Sequence, residues 1–91
     1  MRYYTTPTFD KSIEALSEDR KKRVKKTIHL AVAFFETGNL PRGLGLKPLN
    51  RSIWEIRVDL HDRILFRKNK DVVEFLLVGS HDEIKNYLKR S

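Results

Sequence analysis

The 91-residue chain contains no cysteine, which excludes a disulfide framework and a thiolate metal site. No apolar run approaches the roughly 20 residues needed to cross a bilayer. The first residues, Met1–Pro7, lack the apolar core of a signal peptide, so we expect a cytoplasmic protein. Because proline and glycine are few and no linker is evident, we expect one domain over residues 1–91.

Acidic side chains are also scarce: 12 Asp and Glu stand against 19 Lys and Arg, which leaves a net charge of +7. So much positive charge on so small a body attracts polyanions. The candidates are nucleic acid, an anionic membrane surface and an acidic protein, and charge alone does not separate them. The alternative to a polyanion-binding role is that the lysines only keep the protein in solution.

The N-terminal half predicts an opening strand over residues 2–6 and then two helices. Thr8 is a suitable cap for a first, short helix, and Ser17 for a second, longer one that stops at Gly38. Apolar residues spaced by three and four give each helix one apolar side. They are Phe9, Ile13 and Leu16 in the first helix, and Val24, Ile28, Leu30, Ala31, Phe34 and Phe35 in the second.

The apolar period changes to two after residues 39–50, which we interpret as a loop or a short irregular strand. Residues 53–60 alternate as a strand should, and residues 63–67 continue the pattern after a tight turn at His61–Asp62. The side chains expected to face the core are Trp54, Ile56, Val58 and Leu60.

A last strand and a last helix are predicted near the C-terminus. Residues 72–78 are nearly all apolar, as in an interior strand, and follow a turn at residues 68–71. Ser80 and Glu83 have the capping-box spacing of a helix start. The apolar side of that helix consists of Ile84, Tyr87 and Leu88.

The predicted order is therefore strand, helix, helix, three hairpin-linked strands and helix (βααβββα), in the α+β class. The economical packing is an antiparallel sheet, mixed through its N-terminal strand, with the first two helices on one face and a short C-terminal helix. The other face would be open. Alternation places five charged side chains on it: Glu55, Arg57, Asp59, Arg63 and Arg67.

This charged face could cleave RNA without a metal ion or cofactor. The 2′-hydroxyl of the substrate can attack the neighbouring phosphate if the protein supplies a base, a positive charge and an acid. We predict that Arg63 holds the phosphate, because its planar guanidinium binds phosphate oxygens in pairs. Arg57 is a second candidate. A surface ion pair of Arg63 with Glu55 or Asp59 is the structural alternative.

The proton-transfer candidates come from the same region. His81 is predicted to act as a base, because the positive end of the last helix favours its neutral form; a helix cap is the alternative. Tyr87 could stack on a base, donate a proton or only pack in the core. Glu55 could serve as a base or pair with Arg57 or Arg63. The three histidines lack metal-ligand spacing, so we expect no zinc site.

Six of the seven residues in the range 20–26 are positive. Such a run is usually a solvated helix face. Here we predict contact with a phosphate backbone without sequence readout, and the same for Lys47 and Arg67. The contacting residues of the run would be Arg20, Lys21, Lys22, Arg23, Lys25 and Lys26.

Four segments, in this order, resemble the RelE/ParE superfamily of toxins: residues 45–49, 54–58, 63–66 and 78–82. The resemblance covers nearly the whole chain, including the helical pair. It implies the toxin of a type II toxin–antitoxin system, held in check by a cognate acidic antitoxin. RelE-like members cut mRNA on the ribosome through the 2′-hydroxyl and without a metal, whereas the ParE branch inhibits DNA gyrase.

The resemblance also implies roles for single residues. Arg63 matches the strand arginine that stabilises the phosphate, Arg57 a basic residue on the preceding strand, and Tyr87 a tyrosine in the last helix of RelE proper. The chain departs from RelE proper, which has an arginine where His81 stands and a lysine where Glu55 stands. A gyrase inhibitor and an inactive basic interaction module are the alternative functions.

Overall fold

The computed structural model describes residues 1–90 and confirms the predicted order of helices and strands. The short strand allowed for before the sheet is present as β2. No helix within residues 1–90 is long and apolar enough to cross a membrane. The elements are β1 (Arg2–Thr5), α1 (Pro7–Glu14), α2 (Glu18–Thr37), β2 (Gly45–Pro48), β3 (Ile53–Arg57), β4 (Arg63–Asn69), β5 (Val72–Gly79) and α3 (His81–Arg90).

The five strands form one mixed sheet in the order β1-β5-β4-β3-β2. β1 runs parallel to β5, and every other pair is antiparallel. β5 is thus an interior strand between β1 and β4, which explains its nearly continuous apolar sequence. The predicted mixed sheet is confirmed.

The first helix begins two residues earlier than predicted. Thr6 is its cap: the Thr6 hydroxyl accepts a hydrogen bond from the Phe9 amide at 3.1 Å. Pro7 occupies the first turn, where its missing amide hydrogen costs nothing. The prediction of Thr8 as the cap was wrong because the proline, and not the later threonine, marks the start.

The second helix begins and ends as predicted. The Ser17 hydroxyl accepts from the Arg20 amide at 3.3 Å. Gly38 closes the helix in the left-handed conformation, with φ of 78°, and its amide donates to a carbonyl one turn back. Leu30 was placed wrongly in the apolar stripe, since it is exposed; Thr27 is buried between Val24 and Ala31 instead.

The main core lies between α1 and α2 on one side and the sheet on the other. A smaller cluster lies on the opposite face, where α3 covers Leu65 and Leu76 with Ile84. The face predicted to be open is therefore covered by α3 over part of its area, and the end near β2 and β3 stays accessible. The main core contains Phe9, Leu16, Val24, Ala31, Ile56, Ile64, Phe66, Val73, Phe75 and Val78.

The third strand ends at Arg57, three residues before the predicted end. Asp59 folds the chain into a turn, because its carboxylate accepts from the amides of His61 at 2.8 Å and Asp62 at 2.7 Å. Leu60 is consequently exposed, and Asp59 points to α2 rather than to the charged sheet face. Both predictions for these two residues were wrong, because a local side-chain turn replaced the strand.

Candidate active site

The uncovered end of the second sheet face holds a group of four charged side chains. Arg57 of β3 lies opposite Arg63 of β4, and Glu55 lies opposite Lys47 of β2. Because opposite residues in antiparallel strands project to the same face, and alternate residues share a face, the four lie together. They line a cavity of about 380 Å³, which we call the reaction cavity.

Arg63 and Glu55 form an ion pair at the edge of this cavity. Arg63 Nη1 donates to Glu55 Oε2 at 3.1 Å, and the two side chains are only 17% and 7% exposed. Arg63 Nε is buried and has no hydrogen-bond partner within residues 1–90. A buried donor without a partner costs about 1–3 kcal/mol. The ion pair therefore leaves the guanidinium incompletely bonded.

His81 lies beside the same guanidinium, with its Nδ1 3.5 Å from Arg63 Nη1. The register of β4 with β5 sets Arg63 opposite Gly79, and α3 starts two residues later. Since an arginine only donates, Nδ1 of His81 would be the acceptor in this contact. His81 is exposed, so its ring can also reach a molecule in the site.

Helix capping is done by two neighbours of His81. The Ser80 amide donates to Glu83 Oε1 at 2.9 Å, and the Glu83 amide donates to the Ser80 hydroxyl at 3.2 Å. The predicted capping box is thereby confirmed. The structural alternative for His81, a helix cap, does not apply, because Ser80 and Glu83 fill that role.

Arg57 and Lys47 are exposed and form no ion pair within residues 1–90. Tyr87, by contrast, is half-buried and packs against the smaller cluster under α3. It follows His81 by six residues, or about 9 Å along a helix. Arg67 donates to Glu74 at 2.6 Å. The structure thus brings Glu55, Arg57, Arg63, His81 and Lys47 together, and leaves Tyr87 and Arg67 in other contacts.

The basic run of α2 divides into paired and unpaired residues. Arg20 binds Asp62 through two hydrogen bonds, of 2.9 and 2.7 Å, and this contact raises the pKa of Arg20. Arg23 donates to Asp59 at 3.0 Å, and Lys21 lies 3.5 Å from a carboxylate of its own helix. Three lysines are exposed and form no ion pair within residues 1–90: Lys22, Lys25 and Lys26.

Sequence reasoning missed the carboxylates that hold the turn before Arg63. Asp62 is 1% exposed and is paired across the fold, with Arg20 of α2. The amides of Asp62 and His61, together with Arg23, lower the pKa of Asp59. The position of Asp62 directly before a strand arginine was visible, but its partner lies 42 residues away in the sequence.

Comparison with known proteins gives one consistent result. No family model matches the chain, and no curated protein matches it. Solved structures do match. YafQ from Escherichia coli strain BL21(DE3) superimposes with a TM-score of 0.75 at 16% identity, over 92% of this chain and 98% of that chain. This chain has the RelE/YafQ fold.

Two archaeal structures support the same assignment of the fold. A chain of the RelB–RelE antitoxin–toxin complex from Methanococcus jannaschii gives a TM-score of 0.70 at 23% identity, covering 92% of this chain and 96% of that one. A chain of the RelE–RelB complex from Pyrococcus horikoshii gives 0.64 at 15% identity, covering 87% and 92%. The fold implied by the resemblance in the sequence is thereby confirmed.

Proposed function

We propose that this chain is the toxin of a type II toxin–antitoxin system and that it cuts mRNA on the ribosome. One observation carries the proposal: the Arg63 guanidinium lies within 3.5 Å of both Glu55 and His81, at the edge of a cavity that Lys47 and Arg57 also line. The RelE/YafQ fold, found in antitoxin–toxin complexes of other organisms, supports the proposal.

Arg63 is the residue that binds the scissile phosphate. Its guanidinium is incompletely bonded in the structure, since Nε has no partner within residues 1–90 and Glu55 takes a single hydrogen bond. A phosphate oxygen pair fits the planar fork better than one carboxylate oxygen does. The charge that builds up on the phosphate oxygens during attack would strengthen this contact, and such interactions accelerate a reaction.

His81 is the residue that receives the proton of the 2′-hydroxyl. When Arg63 turns to the phosphate, Nδ1 of His81 loses its neighbour and becomes free to accept a proton. Attack of the 2′-oxygen then breaks the bond from phosphorus to the 5′-oxygen, which leaves with a proton from water. Glu55 is buried and already bonded to Arg63, so it holds the arginine in place rather than serving as the base.

The site supplies few acid–base groups, which is why we propose that the ribosome takes part. Tyr87 packs under α3, and none of the residues within 1–90 that line the reaction cavity is a histidine. The ribosome would hold the mRNA with its 2′-hydroxyl in line for attack, and orientation of this kind is worth a large share of a barrier. The exposed Lys22 and Lys25 are suited to contact with ribosomal RNA.

A cognate acidic antitoxin is the proposed protein partner. The net charge of +7 favours a partner of opposite charge, which would associate quickly and with correct orientation. Structures that share this fold include the RelB–RelE complexes of two archaea, in which the partner is an antitoxin. No cofactor or metal is required by the proposed chemistry.

The test is induced expression in bacteria followed by mapping of mRNA 5′ ends. We expect cuts inside translated codons, and none on a reporter mRNA whose start codon is removed. His81→Ala should reduce cutting by about 10²-fold, because general bases contribute that much or more. The matched control is His61→Ala, an exposed histidine in the turn before β4, which should cut at the wild-type rate.

Two other outcomes would overturn the proposal. Arrested replication with gyrase trapped on DNA, and intact mRNA, would assign the protein to gyrase inhibition. Stalled translation with intact mRNA would assign it to a different block of the ribosome.

A further inference from the structure

A second cavity, of about 260 Å³, lies between α2 and the segment that precedes β2; we call it the basic cleft. Four cationic side chains line it, and none of the residues that line it is a carboxylate. Arg23 and Lys26 come from α2, Arg42 from the segment before β2, and Arg57 from the end of β3. The cleft is therefore more uniformly positive than the reaction cavity, which contains Glu55.

Most of the charge in the basic cleft is available to a ligand. Arg23 donates to Asp59 at 3.0 Å, but its side chain remains 51% exposed. Lys26, Arg42 and Arg57 are exposed and form no ion pair within the part of the chain that the structure describes. Four like charges around one cavity attract an anion of several charges.

The basic cleft adjoins the reaction cavity. The two cavities share Gly43, Arg57 and Val58 in their walls. Arg57 therefore stands at their junction. When one phosphate of an RNA strand lies at Arg63, the neighbouring phosphates lie outside the reaction cavity. The basic cleft, which starts at Arg57, offers positive charge at that position.

We infer that the basic cleft binds the phosphodiester backbone of the RNA on one side of the nucleotide held at Arg63. The inference rests on the proposed function and adds Arg42, which the sequence did not single out, to the residues that contact RNA. The wall residues that the cleft shares with the reaction cavity favour RNA over an acidic protein segment as the occupant. Binding is independent of base sequence, because guanidinium and ammonium groups here would meet only phosphates.

The test compares two double variants with the same loss of charge. Lys26→Gln/Arg42→Gln removes two charges from the basic cleft. Lys11→Gln/Lys70→Gln removes two exposed charges elsewhere, from α1 and from the turn between β4 and β5. The probe is a 12-nucleotide single-stranded RNA with 2′-O-methyl groups, which block the attacking hydroxyl. Its dissociation constant is measured by fluorescence anisotropy over a series of salt concentrations.

The cleft variant should bind the probe more weakly than the wild type, and its affinity should depend less on the salt concentration. Each single-strand phosphate contact adds about 0.7 to the slope of log K against log salt, so loss of two contacts should lower the slope by about 1.4. The control variant should keep the wild-type slope. Equal slopes in the two variants, or no binding of the probe by the wild type at low salt, would overturn the inference.

A polyglutamate peptide of equal length, used as a second probe, addresses the other class of polyanion. If the cleft variant lost affinity for the peptide and kept its affinity for RNA, the cleft would be a site for an acidic protein and the inference would be wrong. The result is separable from the proposed function. If the cleft binds RNA but the protein does not cut mRNA, the inference about the cleft holds and the proposed nuclease function is wrong. If the protein cuts mRNA but the salt slopes of the two variants are unchanged, the proposed function holds and the inference about the cleft is wrong.

Discussion

Asp62 and Arg63 are neighbours in the chain, and each belongs to an arginine–carboxylate pair. The two pairs differ in the number of hydrogen bonds that they form. Asp62 takes two hydrogen bonds from Arg20 and is 1% exposed. Its neighbour Arg63 gives one hydrogen bond to Glu55 and keeps a buried Nε without a partner within residues 1–90. The first pair is bidentate, whereas the second leaves a buried donor without a partner within residues 1–90.

The difference assigns a different role to each pair. The Arg20–Asp62 pair ties the turn before β4 to α2, across the fold. It thereby fixes the point at which Arg63 enters the sheet. The Arg63–Glu55 pair holds a guanidinium at the reaction cavity but does not satisfy it. In the proposed function, the Arg20–Asp62 pair supports the neighbouring Arg63, which exchanges Glu55 for a phosphate.

Arg63→Lys should have the largest effect, on cleavage and not on stability. Lysine keeps a charge for the single bond to Glu55 but cannot hold two phosphate oxygens in a plane. Single-turnover cleavage of ribosome-bound mRNA should slow by about 10²-fold, as for loss of one donor to a developing oxyanion. The free energy of unfolding, measured in urea, should change by less than about 1 kcal/mol. A rate within threefold of the wild type would remove Arg63 from the chemistry.

Arg20→Lys should have the opposite profile. One of the two charge-assisted bonds to a buried carboxylate is lost, so the free energy of unfolding should fall by about 2 kcal/mol. Urea denaturation measures this change. Under conditions where the variant is folded, its single-turnover rate should stay near that of the wild type. An unchanged stability would show that the pair does not support the turn.

Acid should weaken the turn that Asp59 builds. The amides of His61 and Asp62 and the Arg23 guanidinium hold the pKa of Asp59 below its ordinary value. The stability that this carboxylate contributes is therefore present above its unfolded pKa of about 3.9 and is lost as the pH falls through that value toward the folded pKa. The free energy of unfolding of Asp59→Asn, measured in urea, should decline less between about pH 5 and about pH 3 than that of the wild type.

Arg67→Gln should have the smallest effect. Arg67 and Glu74 are 41% and 34% exposed, so their pair at 2.6 Å is screened by water. Such pairs contribute at most about 1 kcal/mol. Calorimetry should therefore show a fall in Tm of no more than about 4–8 °C. A larger loss would mean that exposure does not decide which of these pairs stabilises the fold.

The periodic parts of the fold could be predicted from the sequence, and the local exceptions could not. The spacing of Val24 and Ala31 and the alternation around Glu55 and Arg57 identified α2 and the sheet. The end of β3 was placed too late, because the Asp59 side chain makes backbone hydrogen bonds that a period does not reveal. Turn chemistry at one aspartate outweighed the alternation.

The candidate site divides in the same way. Alternation placed Glu55, Arg57 and Arg63 on one face, and the helix start after β5 placed His81 near them. The direction of Tyr87 depends on how α3 packs against the smaller cluster, which no local pattern encodes. The Arg20–Asp62 pair could not be predicted because it joins residues 42 positions apart through tertiary packing.

The most direct test of the exchangeable pair is an NMR titration of the arginine Nε–H signals. The ligand is a trinucleotide with 2′-deoxyribose, which lacks the attacking hydroxyl. The Arg63 signal should move as the guanidinium takes up a phosphate, and the Arg20 signal, already bonded to Asp62, should stay in place. An Arg63 signal that did not move at saturating trinucleotide, or an Arg20 signal that moved with it, would contradict the account.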